Sequence, residues 1–308
     1  MVTKEPTKVA NNAYRIGIDL GGTKIAGTII GPDGLELYPE KARPRRNTDQ
    51  EKGYDHIVAT IADLYRELAS RIEGLPHTVG IGTPGAVSRK TGLLKNSNTL
   101  CLNARPLKGD IELAIGKALN IQNDANCFAM AEARDYPGKT VFGVIMGTGC
   151  GGGIVIDGKV HTGLQSIGGE WGHHTLYPET GPQCYCGKKG CIETLISGGG
   201  LQDLFLQRFG RKIKAEQIFE LARGGEDGVE DFVDQFFRNF GYAMSNLINI
   251  LDPDVVVIGG GLSNLDELYT TGIEYVRQFV FSDDLETPIV RNKYGDSAGV
   301  IGAALIGI

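Results

Sequence analysis

Basic clusters are nearly missing from this 308-residue chain: acidic residues number 37 against 31 lysines and arginines, a net charge of -6, and the short run Arg43 to Arg46 is the one concentration of positive charge. A surface of that balance does not attract a phosphate backbone or an anionic bilayer, so neither nucleic acid nor membrane is expected as a partner. The opening residues, MVTKEPTKVANNA, hold no apolar run that could serve as a signal peptide or a membrane span, and they read as a loose tail at 1–13. Nothing marks the chain as secreted, and its six cysteines read as reduced, which points to the cytoplasm. The length suits two domains with a core each.

Glycine is abundant by contrast, 45 residues or about twice average usage, and the glycines are clustered. Alternation and β-branching predict strands at 14–20, 24–30 and 35–38, the last after the turn pair Asp33-Gly34. Ile57, Ile61, Leu64 and Leu68 follow helical spacing, and 78–82 reads as a short buried strand. Residues 113–119 look helical, 120–122 form a strand, and Asn123-Asp124-Ala125-Asn126 caps a helix through about Arg134, near which this pattern ends the first lobe. From Val141 the order of strand, glycine loop, strand and Asp-Gly turn begins again. Gly17, Gly21 and Gly27 match Gly143, Gly147 and Gly153 at a constant offset of 126 residues, which suggests an internal duplication. Further on, Phe236, Phe240, Ala243, Leu247 and Leu251 share one helix face, 255–258 is a buried strand, and 302–306 looks like part of a last helix.

Chemistry-bearing residues concentrate between Gly169 and Glu193. His173, Cys184, Cys186 and Cys191 are spaced H-x10-C-x-C-x4-C, and three thiolates with one imidazole suit a closed, four-coordinate structural zinc site. A disulfide is the rival reading, although Cys-x-Cys does not easily close on itself. Glu170 and Glu193 flank the ligands and could grip a polyhydroxylated substrate. Cys101, Cys127 and Cys150 read as buried apolar residues. The turn Asp19-Leu20-Gly21-Gly22-Thr23-Lys24 lets backbone N–H groups approach an anion, or is an ordinary glycine hairpin; it lacks the spacing and following helix of a Walker loop. Gly147-Thr148-Gly149-Cys150-Gly151-Gly152 fits G-x-G-x-x-G, but a strand follows it where a dinucleotide fold requires a helix. With the glycine turn at 259–261, these loops suggest a nucleotide clamped between lobes. Asp124 reads either as a helix cap or as a functional carboxylate.

Taken together, DLGGTK at 19–24, GTPG at 82–85, NDAN at 123–126, GTGCGGG at 147–153, GEWGH at 169–173, CYCGKKGCIE at 184–193 and DPDVVVIGGG at 252–261 resemble the ROK family of bacterial sugar kinases, over nearly everything from Tyr14 onward. The resemblance implies an α/β, actin/hexokinase-like ATPase fold of two ribonuclease-H-like lobes around a central cleft. The lobes would span 14–124, completed by a last helix at about 293–308, and 125–292, the latter holding the zinc knuckle 173–191. Carried over, Asp124 is the catalytic base; Gly85, Asn98, Asn123, Asp124, Glu170, His173 and Glu193 bind the sugar. Gly21, Gly22, Thr23, Lys24, Gly147, Thr148 and Gly149 hold the phosphates of ATP, with Gly260 and Gly261 near its adenosine, and Asp19 orients Mg²⁺ through water. The segment GEWGH followed by CYCGKKGCIETLISG, and the late FVFSDDLETP with KYGDSAGVIGAA, look most like Mak-type fructokinases, which also tend to accept mannose or glucose; this implies conversion of fructose to fructose 6-phosphate. N-acetylglucosamine kinase and glucokinase are the alternatives within the family. The family's sugar-responsive repressors carry an added helix-turn-helix, for which a thirteen-residue tail is too short. A homodimer is implied.

Overall fold

The computed structural model describes residues 13–307, so the expected tail lies outside the described residues except for Ala13. The chain forms two compact units. One takes the chain through Ala131, with Leu164–Ser166 and the segment from Asp296 onward; the other takes Glu132–Gly163 and Ile167–Gly295.

In the first unit, β1 (Tyr14–Leu20) and β2 (Lys24–Ile30) form an antiparallel hairpin, and β3 (Arg45–Asn47) adds to the edge of β2. After α1 (Tyr54–Ser70), β4 (His77–Thr83) pairs parallel with β1. A small hairpin, β5 (Ala86–Val87) with β6 (Leu94–Lys95), and α2 (Leu107–Ile115) follow; β7 (Asn120–Asn123) then joins β4 in parallel and leads into α3 (Asp124–Glu132). The sheet order is β3-β2-β1-β4-β7.

Both faces of this sheet are covered, as its buried, β-branched strands require. The stripe Ile57, Ile61, Leu64 and Leu68 of α1 is fully buried, and Leu68 rests where a Cβ on Gly27 would come within 2.6 Å of it. The C-terminal helix (Ala298–Leu305) approaches so closely that Cβ atoms on Gly17 and Gly80 would stand 2.4 and 2.0 Å from the Val300 and Ala303 carbonyl oxygens. Gly302 in turn meets α3, where its Cβ would lie 1.7 Å from the Cys127 carbonyl oxygen. This contact belongs to the first unit, which runs through Ala131.

Two local expectations are corrected. The segment 35–38 is not a strand: it makes one bridge, Ile30 to Glu36, and leaves Leu35 and Leu37 exposed. Glu36 is held instead by Thr28 and by the buried Arg43, whose Nη1 donates to Ser297 Oγ at 2.7 Å, so the third strand forms later at β3. The helix expected at 113–119 lies earlier, at α2, because Gly116 takes a left-handed conformation (φ 67°) that ends it.

The second unit repeats the plan. β8 (Val141–Met146) and β9 (Cys150–Ile156) form a hairpin extended by β10 (Lys159–Val160). Five helices follow among the remaining strands: α4 (Ile192–Ile196), α5 (Gly198–Phe209), α6 (Ala215–Arg223), α7 (Val229–Leu251) and, after β11 (Val255–Gly259), α8 (Thr271–Phe279); β12 (Ile289–Arg291) is last. The order β10-β9-β8-β11-β12, with β8, β11 and β12 parallel, has the same sequence of pairings and senses as the first sheet. Two halves of that form are what the matched glycines imply. Phe236, Phe240, Ala243 and Leu247 of α7 are buried, and edge-to-face aromatic contacts join Phe236 to Phe219 and Phe232 to Phe205. No helix among the described residues is long and apolar enough to cross a membrane.

Candidate active site

In the first unit the parallel strands β1, β4 and β7 end side by side, with Asp19 opposite Gly82 and Thr83 opposite Asn123 in register. Asp19 therefore emerges where a sheet of this kind presents ligands, outside the carboxyl ends of its strands. Glycines leave room for its carboxylate: a Cβ on Gly82 would lie 3.2 Å from Oδ1, and one on Gly299 would lie 2.8 Å from Oδ2. Asn123 is the residue that caps α3, since its Oδ1 accepts from Asn126 N at 2.8 Å. Asp124 is thereby released from that role. It accepts through Oδ1 from the Ala125 N–H at 2.8 Å.

Burial, and secondly the charge of Asp124, push the Asp19 pKa from 3.8 to about 6. Burial also raises Asp124, against the opposing effect of backbone N–H donors. No lysine or arginine pairs with either carboxylate among the described residues. Two carboxylates, both shifted upward and neither so paired, thus stand at the strand ends.

The first glycine loop is fixed from outside. Thr48, fully buried, donates through Oγ1 to Gly21 O at 2.7 Å and through N to Thr23 O at 2.9 Å, while Gly21 N donates to Lys24 O at 2.9 Å. Gly22, Thr23 and Lys24 remain exposed, and the space over Gly22 is open to 4 Å. Gly85 has φ 85°, and a Cβ there would meet Lys95 O at 2.4 Å. Asn98 is exposed on a loop that Asn103 braces, its Oδ1 accepting from Ser97 N at 2.9 Å and its Nδ2 donating to Ser97 O at 2.8 Å.

In the second unit, Gly147, Thr148 and Gly149 dock onto the start of α5. Gly198 N and Gly199 N donate to Gly147 O and Thr148 O at 2.7 and 3.1 Å. Glu193 lies under the loop: its Oε2 accepts from Cys150 N at 3.0 Å and would stand 2.4 Å from a Cβ on Gly149. Gly260 (φ 81°) closes on the same turn, its Cβ position 2.5 Å from Met146 O, while Gly261 faces open space. A cavity of about 550 Å³ opens beside this loop, lined among others by Thr148, Gly149, Tyr185, Glu193 and Thr194. Glu170 is exposed and precedes the single turn Trp171–His173, which is anchored by Trp171 Nε1 donating to Gly151 O at 2.8 Å.

The knuckle brings His173, Cys184, Cys186 and Cys191 together, their ligand atoms all within 4.8 Å of one another. Cys184 Sγ is 3.7 Å from His173 Nδ1, and Cys186 Sγ is 3.6 Å from Cys191 Sγ. The sulfur–sulfur separation is far beyond a disulfide bond of about 2.05 Å. It is close to the roughly 3.8 Å edge of a tetrahedron with metal–sulfur bonds of about 2.3 Å. The donor set therefore fits zinc. Bridges Thr175 to Cys191 and Gln183 to Lys189 build the scaffold, and Gly190 (φ 63°) permits the close pass by Tyr177 O, 2.1 Å from its Cβ position.

Each unit thus gathers part of the residue set named from sequence: Asp19, the first glycine loop, Gly85, Asn98, Asn123 and Asp124 in the first, the remainder in the second. Sequence reasoning missed the braces, Thr48, Asn103 and Ser197, whose side chain caps α5 by accepting from Gly200 N at 2.9 Å. Ser197 ahead of three glycines was a readable cap signal; Thr48 and Asn103 carry none.

The description of the ROK family matches residues 15–307. The chain is 37% identical over 305 residues to N-acetyl-D-glucosamine kinase of Haemophilus influenzae (strain 86-028NP), covering 94% of this chain and 98% of that protein. It is similar in structure to a ROK hexokinase from Thermus thermophilus, with TM-score 0.85, 31% identity and 96% and 97% of the two chains covered. A ROK family glucokinase from Streptomyces griseus, solved with glucose and AMPPNP, gives TM-score 0.70, 28% identity and 96% and 99% coverage. The chain belongs to the ROK family, with its actin/hexokinase-like ATPase fold. Within that family it is a sugar kinase.

Proposed function

We propose that the chain transfers the γ-phosphoryl group of ATP to the 6-hydroxyl of N-acetyl-D-glucosamine, with Asp124 as general base. The observation that carries this choice of sugar is the 37% identity over 305 residues to a kinase of that name. The fructose expectation finds no support among the relatives named above, which are an N-acetylglucosamine kinase, a hexokinase and a glucokinase.

Asp124 takes the proton of the attacking hydroxyl, an assistance typically worth about 10²–10⁴-fold. Its raised pKa and its release from capping by Asn123 support that role. Asn123, Glu170, His173 and Glu193 hydrogen-bond the sugar, with Gly85 and Asn98 nearby. The backbone of Gly21, Gly22, Thr23, Lys24, Gly147, Thr148 and Gly149 holds the phosphates, and Gly260 and Gly261 lie by the adenosine. Glycine positions with open space over them, as at Gly22, Gly147 and Gly261, support such close backbone approach. Asp19 fits Mg²⁺ held through water, which supplies charge neutralisation to the transferring group. Zinc in the Cys3His knuckle supplies order to the segment carrying His173, not reactivity. The resemblance further supports a homodimer in the cytoplasm.

ADP release with Mg²⁺-ATP, measured across N-acetylglucosamine, glucose, mannose and fructose and followed by locating the phosphate, tests the reading. Preference for N-acetylglucosamine with a 6-phosphate product is expected. A dominant fructose signal would restore the substrate expected from the fructokinase-like segments, and silence on every sugar would remove the kinase.

A further inference from the structure

We propose that Glu132 is a positioning residue for phosphoryl transfer: its carboxylate binds the outgoing and the returning passage of the chain between the two units into one joint. For its catalytic consequence the inference rests on the sugar-kinase reading.

Apart from the short excursion Leu164–Ser166, the chain leaves the first unit between Ala131 and Glu132 and comes back to it between Gly295 and Asp296. Within the second unit these two passages are bound to each other. Glu132 is the last residue of α3 and only 2% exposed. Its two carboxylate oxygens accept from Lys293 N at 3.0 and 3.2 Å, and Oε1 also accepts from Tyr294 N at 3.1 Å. Both donors lie beyond the end of β12 at Arg291, outside its ladder, and the carboxylate satisfies them. Asp135 adds an outer tie, accepting from Lys293 Nζ at 2.9 Å and from the Tyr294 hydroxyl at 3.2 Å. Asn292 fixes the same segment to β11, its N donating to Ile258 O at 2.9 Å, while its Oδ1 accepts from Gly295 N at 2.9 Å.

Burial and the negative pole of the helix C-terminus both work against an anion at Glu132, and burial raises its pKa despite the two N–H donors. The Lys293 ammonium does not pair with it directly, being turned to Asp135. The grip on two peptide N–H groups offsets that disadvantage, since a charged acceptor makes the stronger hydrogen bonds. It makes the end of α3 and residues 293–295 one piece. Asp124 begins α3, and the returning chain forms the C-terminal helix whose Gly299 lies against Asp19. Both carboxylates of the site are thus borne or bordered by elements that issue from this piece. A displacement of about 1 Å in such elements can slow turnover about 10²-fold. An imperfectly assembled site also admits water as phosphoryl acceptor, giving ADP and inorganic phosphate in place of ADP and sugar phosphate.

Glu132→Gln keeps the shape of the side chain but sets an NH2 group against one of the N–H donors. In the full chain without substrate, amide exchange at Lys293 and Tyr294, read from ¹H–¹⁵N spectra, should quicken at least about tenfold. Kinetics use Mg²⁺-ATP and whichever of N-acetylglucosamine, glucose, mannose and fructose the wild type phosphorylates best. Sugar phosphate formation should fall about tenfold while the sugar KM stays within about twofold. The amount of ADP formed per sugar phosphate should rise about twofold above the wild-type ratio. A merely structural loss lowers both products together, so faster exchange with the wild-type ratio overturns the part in transfer. Unchanged exchange overturns the joint. Should Glu132→Gln not fold, Glu132→Asp, which keeps the charge and withdraws it by one methylene, takes the same measurements; failure of both to fold overturns the positioning role in favour of a folding one. A wild type inert toward every sugar removes the kinase reading and with it the catalytic consequence, while amide exchange still decides the joint.

Discussion

Asp19→Asn should make the protein more stable at neutral pH and less able to turn over. Asp19 ionises with a pKa of about 6 in the fold against 3.8 for the free side chain, because burial and, secondly, Asp124 disfavour its anion. A carboxylate shifted upward costs stability once it is charged. Between about pH 4 and 6 the folded chain keeps a proton that the unfolded chain has already shed, so stability falls as pH rises through that window and the cost is fully present above about pH 6. The displacement from 3.8 to about 6 corresponds to about 3 kcal/mol. The asparagine variant should therefore exceed the wild type by up to about 3 kcal/mol at pH 7.5, with the gap closing as pH approaches 4. Urea unfolding followed by circular dichroism at a series of pH values measures this. The single tryptophan, Trp171, is a poor probe because it belongs to the other unit. A variant less stable at pH 7.5, or a difference that does not change with pH, would refute the reasoning. On the proposed function, this stability cost accompanies a charge that serves Mg²⁺.

Close approaches give sharper steric expectations. Gly302→Ala places a Cβ 1.7 Å from a backbone oxygen of α3, which cannot swing aside, so thermal unfolding should show a loss of at least about 3 kcal/mol. Gly22→Ala, with nothing within 4 Å, should change stability by less than about 0.5 kcal/mol in the same measurement. Gly149→Ala meets only the end of the Glu193 side chain at 2.4 Å; Glu193 should swing out, breaking its bond to Cys150 N, with about 1.5 kcal/mol of stability lost and turnover down about 100-fold in a coupled assay. Cys186→Ser should lose bound metal by elemental analysis and sugar affinity by calorimetry together; a metal-free chain with full affinity would make the knuckle dispensable.

Legibility followed the physics of each signal. The hairpins β1-β2 and β8-β9 were readable because alternating β-branched residues and glycine turns are local. The third strand was not: 35–38 alternates well, but Glu36 is drawn off by Arg43 and Ser297 lies beyond Arg43, a contact 254 residues away in sequence. The close meeting of Gly302 with Cys127 is likewise one that no local pattern announces. The four knuckle ligands were visible as residue types with metal-ligand character. Asp124 shows the limit of single-site reading: its sequence context is that of a helix cap, and only the structure gives that task to Asn123.

The central claim is that Asp124 draws the proton from the sugar while other groups hold it. The direct test compares wild type and Asp124→Asn for sugar affinity by calorimetry and for phosphorylated product in a single turnover. The account predicts affinity within a few-fold of wild type and product formation slowed by at least about 100-fold. Near-normal product formation by the asparagine variant would contradict it.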